Sequence, residues 1–232
     1  MSKRFLLSIA FGIGCAITSA QAAQMIVAEA RGIGLKPGAM LDTSKPLVLK
    51  EGQHVTLIST TGATLKLDGP YNAAPDADKG GTAIGAKLAA LTTQNNVRLG
   101  EVGTTRTGAA KDTLPSAWVM NVSHPGAVCL REGSKPVLWR NSAKSPAPLV
   151  VMPADRSWKL ALNWPAGSDS MPITSEVAMH GDATYFVSVA GTEQAISVKT
   201  VPSALETDDM RAAWMADRGC TEQAEAVLRA TR

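Results

Sequence analysis

Between residues 25 and 71 the apolar positions come in short runs broken by glycines: MIVAEA at 25–30, PLVLKEG at 46–52, HVTLIS at 54–59 and ATLKLDG at 63–69. In the last run Leu65 and Leu67 point one way, and Thr64, Lys66 and Asp68 the other. That period of two predicts strands. Lys36-Pro37-Gly38 predicts a tight turn, with Pro37 setting φ. Residues 23–71 are therefore predicted to form a small antiparallel β-unit.

The pattern then changes. Residues 72–115 are rich in Ala, Gly, Thr and Asp and read as a connector. One helix is predicted at 82–93, with Ile84, Leu88 and Leu91 on one face, and a loop at 100–112. From 116 to 202 alternation returns in seven runs: AWVMNV, AVCL, PVLWR, PLVVM, WKLALNW, TYFVSVA and AISVKTV. Seven short strands at this spacing predict a β-sandwich, Ig-like in outline. Trp158, Leu160, Leu162 and Trp164 share one face of the clearest strand, and a hairpin is predicted around Gly191 and Thr192. Residues 203–232 read as a helical hairpin. Ser203 and Glu206 stand at capping-box spacing, and Leu205, Ala213 and Trp214 form an apolar stripe. Gly219 ends the first helix, and Thr221 is the predicted N-cap of the second. The fold class is mainly β with a helical tail, and the helices are expected to pack on their own domain.

The N-terminus changes the picture of where this fold resides. Lys3 and Arg4 precede an apolar run at 5–17, then Ala20-Gln21-Ala22. This order predicts a signal peptide over 1–22, export to the periplasm and a mature chain from Ala23. Gly12 stands where a lipobox needs Leu, so lipidation of Cys15 is not expected. No later run reaches the ~18 apolar residues that a spanning helix needs. Removal of the leader leaves Cys129 and Cys220. In an oxidising compartment these are expected to form one disulfide, pinning the tail to the strand that holds Cys129. A reactive or metal-bound thiol pair is the alternative.

Charge and composition narrow the partners. The formal charge is +3, and the leader carries Lys3 and Arg4, so the mature chain is near neutral. Aromatics are 4% of the chain. Neither a basic stripe nor a stacking platform is present, and no nucleic acid is expected as partner. Trp118, Trp139, Trp158 and Trp164 read as core packing, with a tryptophan-lined groove as the alternative.

Candidate chemistry is sparse. His54, His124 and His180 stand at no metal-ligand spacing and read as surface or hydrogen-bonded structural residues. There is no G-x-S-x-G and no S-x-x-K. Asp76, Asp78 and Gly81 imitate the start of a calcium loop, but its twelfth position is Lys87. Residues 80–87 imitate a phosphate loop, but Ala86 separates Gly85 from Lys87. No catalytic residue, cofactor or metal is predicted.

The stretch GLKPGAMLDTSKPLVLKEGQHVTLISTTGATLKLDGPY, residues 34–71, resembles the periplasmic FecR-like domain in its PG turn, its EGQHVTLIS strand and its GATLKLDGP strand. The resemblance covers about fifty residues. It implies a glycine-turned all-β module concerned with protein–protein contacts or envelope signalling. That family typically has a cytoplasmic segment and a spanning helix before the domain, whereas only a cleavable leader is predicted here. The tail, with RGCTEQAEAVL, is similar to exported proteobacterial proteins that carry such a domain and a Cys-bearing β-region. The expectation is a non-enzymatic periplasmic binding or assembly module that contacts an envelope protein or a glycan. It predicts an exposed apolar or aromatic patch, no buried ionisable cluster, and no histidine within hydrogen-bond reach of both a carboxylate and a nucleophile, which would count against it. The alternatives are a periplasmic hydrolase, in which His54, His124 or His180 meets both, and an accessory protein of envelope signalling.

Overall fold

The computed structural model describes residues 24–76, 113–174 and 179–231. The predicted leader, the helix predicted at 82–93, the loop at 100–112 and the two imitated loops beyond Asp76 lie outside them. The described residues are mainly β, in several sheets, with two C-terminal helices and no sheet closed into a barrel.

The first unit holds β1 (Gln24–Arg31), β2 (Met40–Asp42), β3 (Leu47–Leu49), β4 (His54–Ser59), β5 (Thr64–Asp68) and β6 (Tyr71–Ala73). Four strands form a sheet in the order β2-β1-β4-β5, and β3 pairs with β6, all antiparallel. The turn at Lys36 forms as predicted, with Ala39 N–H on the Lys36 carbonyl at 3.1 Å and Gly38 at φ +87°. On β5, Leu65 is buried while Lys66 and Asp68 are exposed, following the alternation. Thr64 departs from it and is 9% exposed. It pairs with Ile58, which lies in a core shared with the tail. β1 is buried on both faces for the same reason. Met25 and Val27 join Val55 and Leu57 in the unit's own core, while Ile26 and Ala28 turn to the tail. A β-bulge between Val27 and Glu29 re-aims the strand's far end.

The second region holds β7 (Met120–Asn121), β8 (Gly126–Arg131), β9 (Val137–Trp139), β10 (Ala147–Pro153), β11 (Leu160–Trp164), β12 (Ser170–Pro172), β13 (Ala183–Val189) and β14 (Thr192–Val201). A five-stranded sheet, β11-β10-β13-β14-β8, and a three-stranded sheet, β12-β9-β7, share one core. Met120 and Leu138 enter it from the smaller sheet, and Leu149, Val151, Val187 and Ile196 from the larger. The arrangement is sandwich-like, but two pairings are parallel, β8 with β14 and β7 with β9, which an antiparallel Ig-like outline does not contain. The strand predicted at 117–122 shortens to two residues. The Ser116 hydroxyl accepts the Trp118 N–H at 3.2 Å and begins a turn instead. The tryptophan face of β11 packs as predicted, with Trp164 fully buried. The hairpin turns at Ala190 and Gly191, since Val189 already pairs with Thr192. Both turn residues are left-handed, at φ +51° and +84°, as a two-residue hairpin turn requires.

The tail is α1 (Asp208–Asp217) and α2 (Thr221–Ala230). Thr207, not Ser203, caps α1: its hydroxyl accepts the Met210 N–H and donates to the Thr60 carbonyl, both at 3.1 Å. Ser203 is held elsewhere, its N–H on the Glu132 carboxylate at 2.9 Å. Gly219 at φ +85° ends α1 in a Schellman turn, with Cys220 N–H on the Met215 carbonyl at 2.8 Å. Cys220 takes the N-cap position of α2, and the predicted cap, Thr221, is its first residue. Leu205, Met210, Trp214 and Met215 are buried against Ile26, Ala28, Ile58 and Val201, each contributing about 1.5–3 kcal/mol of burial. The tail thus packs on both β-regions.

Candidate functional site

The expected disulfide forms. Cys129 of β8 and Cys220 have Cα atoms 5.8 Å apart and are 0% and 1% exposed. Beside it, the Gln223 amide reaches the open edge of β8. Its Oε1 accepts the Cys129 N–H at 2.5 Å, and its Nε2 donates to the carbonyls of Cys129 at 2.7 Å and Ala117 at 2.9 Å. One side chain replaces the neighbouring strand that β8 lacks. A disulfide fits a secreted or periplasmic protein. Among the described residues no helix is long and apolar enough to cross a membrane.

The histidines lie on different elements. His124 and His180 are exposed, before β8 and before β13. The His180 backbone N–H donates to the Tyr185 hydroxyl at 2.6 Å. His54 contradicts the expectation that no histidine meets both a carboxylate and a hydroxyl. Its Nδ1 lies 2.7 Å from Asp68 Oδ1, and its Nε2 3.1 Å from Thr56 Oγ1. The cause is strand geometry: positions 54 and 56 share a face of β4, and the register sets Asp68 opposite His54. Access runs the wrong way for nucleophilic chemistry. Thr56 is 1% exposed, while the Asp68 side chain is 80% exposed. None of the three clefts described below touches these residues.

Charges around His54 satisfy one another. Arg31 Nε donates to Glu29 Oε1 at 2.6 Å, Arg218 stands 3.8 Å from the other Glu29 oxygen, and Lys66 pairs with Asp217 at 3.3 Å. Burial pushes the Glu29 carboxyl up; the Arg31 hydrogen bond and the charges of Arg218, Arg31 and His54 outweigh it and hold the group below the ordinary glutamate range. This cluster joins the first sheet to the end of α1.

The expected apolar or aromatic patch is not what the described surface offers. Its large exposed apolar side chains are Met40 and Val48, at 47% and 57%. The concave surface mixes polar and apolar groups instead. A small cleft of about 130 Å³ at the start of α2 is crossed by a 3.0 Å hydrogen bond from Asn121 to Glu222. A second, of about 410 Å³, lies between residues 114–118 and α2, beside Trp118, on which the Arg131 guanidinium stacks at 3.9 Å.

The third cleft, of about 380 Å³, is walled by the loop after β9, the residues after β7 and the β13–β14 turn. Arg140, 6% exposed, forms its base. Its guanidinium donates to the carbonyls of Ser145 at 3.0 Å, Pro165 at 2.9 Å and Ser168 at 3.3 Å, and lies 4.9 Å from the centre of the Trp164 ring. Ser123, Asn141 and Thr192 add polar groups, and the exposed Lys144 adds a second cation. Gln194 donates its Nε2 to the Ser123 carbonyl, while its buried Oε1 has no hydrogen-bond partner among the described residues. No residue of this cleft was singled out from the sequence as a binding group. Its one legible signal was the crowding of Arg140, Asn141, Ser142, Lys144 and Ser145 between two strands. Among the described residues no group of three or more His, Cys, Asp or Glu could hold a metal. No protein-family model matches the chain, and no curated protein matches it.

Proposed function

We propose that this protein is a periplasmic, non-enzymatic binding module that takes a glycan in the cleft between the loop after β9 and the β13–β14 turn. One observation carries the reading: the cleft gathers the polar side chains of Ser123, Asn141 and Thr192 above the buried Arg140. A concave site with a few placed polar groups is what a small polar ligand needs. These groups suit a polyhydroxylated ligand. In this reading the FecR-like unit and the tail form the frame that holds the cleft at the cell envelope. The test is a titration of neutral and acidic oligosaccharides into isotope-labelled protein, followed by amide shifts. Shifts should cluster at residues 123, 141 and 192, and Thr192→Val should weaken binding roughly tenfold. Binding of an envelope protein with no response to any sugar would refute the glycan reading.

A second reading has one observation in its favour, the Asp68–His54–Thr56 series of hydrogen bonds. It makes the protein a hydrolase with Thr56 as nucleophile. An active-site phosphonate that labels Thr56 in native protein, and fails to do so in His54→Ala, would establish it.

A further inference from the structure

We infer that the sugar taken by this cleft is an acidic one, bearing a carboxylate, sulfate or phosphate that faces Arg140 and Lys144. The inference rests on the glycan reading above. A guanidinium that is 6% exposed normally meets a carboxylate, because an uncompensated buried charge is expensive. Arg140 meets three carbonyl oxygens and the face of Trp164 instead. These dipoles orient the group and soften its burial, but they bring no negative charge.

The nearby acids do not compensate it. Asp169 accepts the Arg140 backbone N–H through its own carbonyl, while its carboxylate accepts from the Ser170 hydroxyl at 3.1 Å. Glu193 is exposed and, by strand alternation, turns to the face opposite Thr192 and Gln194. Among the described residues, no acid is among the groups that wall the cleft. Lys144, on the loop pinned by the Arg140–Ser145 bond, adds a second positive charge at the rim. Among the described residues the cleft thus sets two cations beside the polar groups of Ser123, Asn141 and Thr192, with no anion, which is the complement of an acidic sugar.

The test compares a neutral glucose oligomer with a glucuronic acid oligomer of the same length and linkage. Both are titrated calorimetrically at about 20 mM and about 200 mM salt, with amide shifts at Gln194 reporting the location. The acidic oligomer should bind roughly fivefold to tenfold more tightly at low salt and lose most of that advantage at high salt. Lys144→Gln, at an exposed position that leaves the fold intact, should remove most of the preference. Arg140→Lys keeps the charge but not the fork, and should retain part of the preference. Equal binding of both oligomers at Gln194 overturns the inference and leaves the glycan reading standing. A preference that survives Lys144→Gln, with shifts elsewhere, overturns it too. Failure of both oligomers to bind removes the glycan reading itself, and the inference with it.

Discussion

Replacing Gln223 strips the edge of β8 of three hydrogen bonds in a place that water does not reach. The side chain is 3% exposed and serves Cys129 N–H, Cys129 C=O and Ala117 C=O at 2.5, 2.7 and 2.9 Å. Each buried group left without a partner costs about 1–3 kcal/mol. Taking the lower half of that range for three groups, Gln223→Met should destabilise the protein by about 3–6 kcal/mol. Methionine keeps the volume, so the loss measures the amide and not a cavity. That is a large share of the roughly 5–15 kcal/mol of a typical domain. Gln223→Glu should be at least as damaging at neutral pH. It turns the donor that faces two carbonyls into an acceptor and buries a charge. Part of that loss should return in acid, where the protonated carboxyl donates again. Urea unfolding of the oxidised protein, followed by circular dichroism, reads these differences as shifts in midpoint at constant slope. If Gln223→Met stays within about 1 kcal/mol of the parent, the amide is not standing in for a strand, and the account of how the tail seals β8 is wrong.

Three further outcomes are expected. Cys129→Ala with Cys220→Ala should cost about 4–5 kcal/mol in the chain-entropy treatment of a loop with a 91-residue separation; the urea midpoint measures it, and a loss below about 2 kcal/mol would contradict that origin. Ala190→Asn should stabilise the protein by about 1 kcal/mol, raising the thermal midpoint by roughly 2–4 °C, because Ala190 sits at φ +51° and Asn-Gly is a preferred pair for this turn. Glu29 has its carboxyl held below the ordinary range in the folded state, so its stabilising contribution is present above the unfolded glutamate value and lost as pH falls through the folded one; Glu29→Gln should flatten the acid limb of stability, read from urea midpoints between about pH 3 and about pH 6.

Much of this architecture was legible because its signals are local. Alternation over five to seven residues marks a strand wherever its partner lies, and β4, β5, β10, β11, β13 and β14 all stood out in that way. The strands β2, β6 and β12 did not, since their three residues stand in no longer apolar run. The cap of α1 was misplaced by a few residues. Ser203 and Thr207 are both good caps in isolation, and the choice fell to Glu132 and Thr60, which bind them from distant segments.

The site was harder to read than the fold. The shared face of His54 and Thr56 follows from their spacing, but Asp68 joins them only through the β4–β5 register. Gln223 looks like an ordinary polar residue in the first turn of a helix; its partner Cys129 lies 94 residues away. Arg140 reads as a surface charge after a strand, and only the convergence of the loops at Ser145, Pro165 and Ser168 buries it.

By itself, then, the sequence determined which segments extend, where the chain turns, that its end is helical and that Cys129 and Cys220 were candidates to bond. Only the tertiary structure decided that β8 runs parallel to β14, that the tail joins both β-regions in one core, and that a cleft forms around a buried arginine. The physical reason is range. Backbone conformation responds to neighbours a few residues apart. Strand order, burial of charge and the satisfaction of polar groups depend on segments that meet only when the chain has closed on itself.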